Sequence, residues 1–295
     1  MNRNVTCLLL GLLGWPPLLW SQGRVVRLDS LPSQYVAPRH IDIWLPPGYD
    51  TDTRQHYPVL YMHDGQNLFF PGAAFGGKAW EVDEVMCRLL AADSVRPCIV
   101  VGIWNTALRF VEYAPAAPFG LMSPEWQAAV RAERMQASPL SDAYLKFLVQ
   151  ELKPYVDQHY RTRPGRAHTF IMGSSMGGLI SLYAQMEYPE VFGGAACIST
   201  HWPLSLKENR GDFTQAMVQY LKVHLPQRRV PRLYFDYGTT TLDAWYEPHQ
   251  LLIDSLLRAD YPATKWITHK FEGAAHQESS WQARLHIPLV FLLGK

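Results

Sequence analysis

Ser175 stands at the centre of Gly173-Ser174-Ser175-Met176-Gly177, and glycines two residues to either side are what a very sharp strand-to-helix turn requires. A hydroxyl projecting from such a turn is a candidate nucleophile. At neutral pH it attacks poorly unless a base takes its proton and an acid orients that base. The base is expected at His276, which closes the small-residue loop Glu272-Gly273-Ala274-Ala275-His276 behind the strand-like run Lys265 to Phe271. His201, in Ser199-Thr200-His201-Trp202-Pro203, also follows a strand-like run and is expected in the pocket wall. The acid should follow the run Arg232 to Tyr237, whose loop reads Gly238-Thr239-Thr240-Thr241-Leu242-Asp243. Asp243 is the first choice. Asp236, inside the run, and Glu247, at the start of the next helix, are the alternatives.

A tetrahedral oxyanion needs two preorganised N–H donors. One is expected from the backbone of Met176, directly after the nucleophile. The other should come from the loop His63-Asp64-Gly65-Gln66-Asn67-Leu68-Phe69, where Gly65 permits close approach and Gln66 supplies the N–H. Asp64 reads as the residue that holds this loop in shape.

These residues need a scaffold that brings distant segments together. Thr169 to Met172 reads as a buried strand. Behind the turn, Leu179, Leu182, Tyr183 and Met186 form one apolar stripe of a helix that Pro189 stops. Short strand-like runs at Val25 to Asp29, Ile41 to Leu45 and Pro58 to Met62 come first. Helical segments around Trp80 to Ala91 and from about Ser141 then alternate with strands at Cys98 to Ile103, Thr169 to Met172 and Gly194 to Ser199. Alternation of this kind predicts a mostly parallel central sheet with helices on both faces. In such a sheet ligands bind beyond the carboxyl ends of the strands, where Ser175, His276, Asp243 and Gln66 fall. Phe110 to Pro139 carries no strand and is long for a connection. It reads as a lid over the site or as an excursion packed on the fold.

With 295 residues, 48% hydrophobic and 18% charged, the chain reads as one globular domain. The net charge of +1, with both signs interspersed, gives no basic face for nucleic acid. No metal-ligand motif, dinucleotide fingerprint or phosphate-binding loop occurs, so no cofactor is expected. Residues 1–23 pair Arg3 with a short apolar stretch broken by Pro16-Pro17 and a small-residue ending at Ser21-Gln22-Gly23. This predicts a cleaved secretory signal peptide, an exported domain over 24–295, and no membrane span after cleavage. Cys87, Cys98 and Cys197 make no disulfide framework, although a Cys87 to Cys98 bridge is open in an oxidising compartment.

Together these features resemble the putative-esterase family of α/β-hydrolases. That family includes enterochelin esterases, S-formylglutathione hydrolases, feruloyl and acetylxylan esterase modules and mycolyltransferases. The resemblance rests on LPPGYD at Leu45 to Asp50, YPVLYMHDGQNLF at Tyr57 to Phe69, R-x-x-E-Y-x-P at Arg109 to Pro115 and ELKPYVD at Glu151 to Asp157. It continues through GSSMGG, YPEVF at Tyr188 to Phe192, and a terminal G-x-x-H with Trp281 beyond. It implies an α/β-hydrolase fold and ester hydrolysis by Ser175, Asp243 and His276, with Gln66 and Met176 as oxyanion donors. Acyl transfer on the same triad, or a silent binding protein on an esterase scaffold, are the rival functions. Arg109 and Glu112 are expected to build the pocket or to pair with each other. Trp104, Phe110, Tyr113, Trp202 and Trp245, near predicted strand ends, are candidates to stack on the sugar or aromatic acyl group of an ester substrate.

Overall fold

The computed structural model describes residues 23–295 apart from 136–137 and 226–227. The signal peptide expected over 1–23 lies, except for Gly23, outside the described residues. Eight strands form one sheet: β1 (Arg24–Leu31), β2 (Arg39–Leu45), β3 (Val59–His63), β4 (Ile99–Ile103), β5 (Thr169–Ser174), β6 (Gly194–Ile198), β7 (Arg232–Thr240) and β8 (Trp266–Ala275). Their order is β1-β2-β4-β3-β5-β6-β7-β8. β1 and β2 are antiparallel, and every pairing from β3–β4 onward is parallel.

The central strands are short, continuous apolar runs because both of their faces are covered. Successive residues of β3 feed different cores. Val59 and Tyr61 pack with the helices Met176–Glu187, Asp212–His224 and Tyr246–Asp260, whereas Leu60 and Met62 pack with Val82–Ala91 and His286–Leu293. Helices therefore flank the sheet on both faces, as the alternation predicts. No helix among the described residues is long and apolar enough to cross a membrane.

Three local features differ from the sequence reading. The helical run from Ser141 to His159 is not a uniform α-helix, since Phe147–Leu152 is π-helical. The strandless segment Phe110 to Pro139 contains the short helices Ala116–Gly120 and Pro124–Val130 and a π-helical turn, Arg131–Met135. β7 and β8 run past their expected ends and stay paired to Thr240 and Ala275, with an irregularity between Gly238 and Thr240. A Cβ at Gly238 would lie 2.2 Å from the Ala274 carbonyl oxygen, so only glycine fits this crossing. The extension matters because it delivers Asp243 and His276 from neighbouring strands. Cys98 and Cys197 are buried thiols, and no disulfide joins Cys87 to Cys98.

Candidate active site

Ser175 links β5 to the helix Met176–Glu187 with φ 59° and ψ −122°, a conformation most side chains avoid. Its surroundings hold it there. The Ser175 N–H donates to the Ile198 carbonyl at 2.8 Å, and its own carbonyl accepts the N–H of Gly178 at 3.0 Å and of His201 at 3.2 Å. A Cβ at Gly173 would sit 2.8 Å from the backbone of Gly177, which is why the turn demands glycine there.

His276 Nε2 lies 3.0 Å from Ser175 Oγ, and His276 Nδ1 lies 2.5 Å from Asp243 Oδ1. Asp243 is fully buried, and its Oδ2 accepts the Ser199 hydroxyl and the Gly238 N–H, each at 2.6 Å. Ser199 Oγ in turn accepts Trp281 Nε1–H at 3.0 Å and Arg284 Nη2–H at 2.8 Å. Trp281 also meets the imidazole of His276 edge-on, with ring centroids 4.9 Å apart. The alternative acids are engaged elsewhere. Asp236 accepts Arg284 Nη2–H and Tyr234 O–H, both at 2.9 Å, and Glu247 pairs with Lys270 at 3.1 Å. Burial raises the Asp236 carboxyl above its ordinary range, against the opposing pull of Arg284.

The turn after β3 starts from Asp64 at φ 56°. Arg109 Nε and Nη2 each donate to the Asp64 carboxylate at 2.7 Å, and Asn105 Nδ2 donates at 2.6 Å. Burial alone would raise this carboxyl, but Arg109 and Asn105 hold it below its ordinary value. Gly65 is pressed against β4, where a Cβ would lie 2.5 Å from the backbone of Gly102. The Asn105 N–H donates to Gln66 Oε1 at 3.2 Å. Arg109 and Glu112 do not pair with each other, because Glu112 is buried against Arg39 with contacts of 2.7 and 2.9 Å.

Ser175, Met176, Gln66 and His276 border one cavity of about 560 Å³. His201 and Arg109 line it as expected, and Phe110 and Arg134 bring the segment 110–139 to its wall. The aromatic assignments need correction, since Trp104, Tyr113, Trp202 and Trp245 do not line this cavity. Trp202 is fully buried with Nε1–H on Gln250 Oε1 at 3.2 Å. Tyr113 is buried beneath the Arg109 guanidinium. Trp104 donates to Asp42 at 2.8 Å under the Arg27 guanidinium, and Trp245 packs against the core. Each satisfies its polar atom or its ring inside the fold. Phe75, Leu206 and Glu278, which sequence reasoning missed, share the wall. Glu278 had a signal in its place two residues after His276. Burial raises its carboxyl above the usual value.

A mostly parallel sheet, a strained serine between strand and helix, and an acid and histidine beyond successive strands define the α/β-hydrolase architecture. The chain belongs to the putative esterase family, whose model matches residues 34–291. Among solved structures it is similar to a ferulic acid esterase, with TM-score 0.66 and 22% identity, covering 92% of this chain and 99% of that one. It is also similar to the enterobactin esterase of Shigella flexneri, with TM-score 0.64 and 17% identity, covering 92% and 59%. At such identities these likenesses speak for the fold. Among curated proteins, it is 25% identical over 175 residues to the uncharacterized protein YbbA of Bacillus subtilis (strain 168), covering 59% of this chain and 61% of that protein. It is 22% identical over 246 residues to an endo-1,4-beta-xylanase/feruloyl esterase of Xylanibacter ruminicola, covering 82% of this chain and 27% of that one. The chain thus spans less than two thirds of either curated relative.

Proposed function

We propose that the protein is an exported serine ester hydrolase that works through an acyl-enzyme. The contact chain from Ser175 Oγ through His276 to buried Asp243 carries this reading. Ser175 Oγ attacks the ester carbonyl while His276 Nε2 takes its proton, and the carbonyl π pair moves onto oxygen to give the oxyanion. The N–H groups of Met176 and Gln66 receive that oxyanion. When the tetrahedral intermediate collapses, the bond to the alkoxy oxygen breaks and His276 returns the proton to the leaving alcohol. Water then repeats the sequence on the acyl-enzyme and releases the acid. Asp243 keeps the His276 proton on Nδ1 and stabilises the imidazolium between steps.

For the substrate we propose an ester of a carbohydrate, a phenolic acid or a catechol siderophore. Names borne by similar proteins, ferulic acid esterase and enterobactin esterase, support that range. The signal-like residues 1–23 support export to the periplasm or the exterior. The test is hydrolysis of p-nitrophenyl acetate, acetylated xylan, methyl ferulate and a catechol siderophore by the mature chain beside Ser175→Ala. Turnover lost in the variant supports the reading. Turnover equal in both proteins contradicts it.

A further inference from the structure

Glu278 brings to the cavity a carboxylate that the proposed chemistry leaves unused. The residue is half-buried and borders the cavity together with Ser175 and His276. Among the described residues its carboxylate forms no ion pair and meets no hydrogen-bond donor beyond its own backbone N–H. At least one of its oxygens therefore has no protein donor. Neither oxygen is both buried and unpartnered, so that oxygen is open.

The direction in which it faces follows from the charges it feels. Glu278 and Arg109 attract each other, and His276 and Asp64 also act on the Glu278 carboxylate. Yet the Arg109 guanidinium is turned to Asp64, with both of its contacts at 2.7 Å, and makes no ion pair with Glu278. Asp64 and Arg109 come from the turn after β3 and the helix Arg109–Tyr113, whereas His276 and Glu278 come from beyond β8, and all four line the cavity. Carboxylate and guanidinium thus face each other across the cavity without touching. A carboxylate drawn partly out of water with no counter-ion is costly, and burial raises it above the usual carboxylate range. An ester that fills the cavity strips more water from it, and only a substrate with a donor of its own replaces the lost hydrogen bond. The donor fits a hydroxyl better than an ammonium. Arg109 stands opposite, and Arg134, 5.0 Å from the Phe110 ring centroid and without a carboxylate partner among the described residues, shares the wall. Two guanidinium groups there oppose a third cation.

We propose that Glu278 is a specificity-determining acceptor for a free hydroxyl on the alcohol half of the ester. The proposal rests on the esterase reading above and narrows its substrate class to esters of diols and polyols. The alcohol half is the one concerned because its alkoxy oxygen must come within reach of His276 Nε2 to receive the proton, and Glu278 follows His276 by two residues on the same cavity wall. An analogue with a methyl group in place of the hydroxyl leaves the carboxylate desolvated and unmet, and is penalised for it.

Isosteric pairs that exchange a hydroxyl for a methyl group test this, each rate normalised to hydroxide-catalysed hydrolysis. β-Hydroxyethyl acetate against propyl acetate, and γ-hydroxypropyl acetate against butyl acetate, vary the alcohol half at two reaches. Ethyl β-hydroxypropanoate against ethyl butanoate varies the acyl half. The wild-type protein should favour the hydroxylated member of at least one alcohol pair by roughly tenfold in kcat/KM. Glu278→Met, which keeps the bulk and removes the acceptor, should bring that ratio to about one. Glu278→Gln, which keeps a neutral acceptor oxygen, should retain part of the preference. Wild-type ratios near one in both alcohol pairs, a preference that survives Glu278→Met, or a preference confined to the acyl pair would overturn the proposal. If Glu278→Met does not fold, the wild-type ratios and Glu278→Gln still decide. Ser175→Ala separates the two levels. Turnover surviving in Ser175→Ala sinks the esterase reading itself, whereas turnover lost there with ratios insensitive to residue 278 sinks only this inference.

Discussion

Ser199 Oγ lies 2.6 Å from Asp243 Oδ2 while accepting N–H groups from both Trp281 and Arg284. With its lone pairs taken, the Ser199 hydroxyl has its own hydrogen committed to the carboxylate. Ser199 thereby ties Asp243, the carboxylate behind His276, to the helix Glu278–Arg284. Ser199→Ala removes one donor from Asp243 and leaves Trp281 Nε1–H and one Arg284 N–H unmet. We expect kcat to fall on the order of tenfold with KM little changed, at a stability cost of about 1–3 kcal/mol in urea unfolding. An equal rise in KM would mean that the hydroxyl shapes binding instead.

Asp243→Asn should keep the fold, since volume and most contacts persist, while kcat falls by roughly 10⁴-fold because the wrong tautomer of His276 is favoured. Glu247→Gln, at an exposed pair with Lys270, should change kcat less than about twofold. Steady-state kinetics on any ester that the wild type hydrolyses, run beside both variants, distinguishes the two carboxylates. A large loss in Glu247→Gln would reassign the acid.

The Asp64–Arg109 pair fixes the turn that carries Gln66. Arg109→Met strips the guanidinium from a buried carboxylate, so stability should fall by roughly 3 kcal/mol. The loosened Gln66 N–H should also lower kcat by up to about 10²-fold. Chemical denaturation and single-turnover acylation report the two effects separately. Acylation at the wild-type rate would remove Gln66 from the oxyanion site.

Acid should destabilise this fold through a buried imidazole. His63 is fully buried beside Tyr144, and burial lowers its pKa from 6.5 to about 3. The unfolded chain binds this proton near 6.5 and the folded chain only near 3, so stability is full above about 6.5. It then falls by up to ~1.4 kcal/mol per pH unit as the medium is acidified towards 3. His201, lowered for the same reason, adds to the slope. Urea unfolding at pH 7 and pH 5 should show a marked loss in the wild type and a shallower one in His63→Asn. Equal slopes would mean that His63 titrates alike in both states.

The elbow and the strand-end loops were readable because their residues must be small or reactive at fixed local spacings. Gly173, Ser175 and Gly177 fall within one turn, and His276 ends a loop of small residues. Asp243 is reached by following chain order from strand to loop. The cage around Asp243 was not readable in that way. Ser199 and Arg284 are 85 residues apart in sequence, and only the tertiary fold brings the helix Glu278–Arg284 against the end of β6. Phe110 lies on the cavity wall, and the other four candidate aromatics lie off it for a related reason. Proximity to a strand end does not say which way a ring turns, and Trp202 and Tyr113 turn into the core. Phe75 lay in a glycine-rich turn that no periodicity marks, yet it is 76% exposed on the cavity wall.

The most direct test of the central claim is covalent. The mature protein is treated with a fluorophosphonate and digested, and the modified peptide is sequenced by mass spectrometry. An activated Ser175 predicts a single adduct on Ser175, absent from Ser175→Ala and strongly slowed in His276→Ala. Ser175 left unlabelled, or labelled equally fast without His276, would contradict a serine nucleophile activated by that histidine.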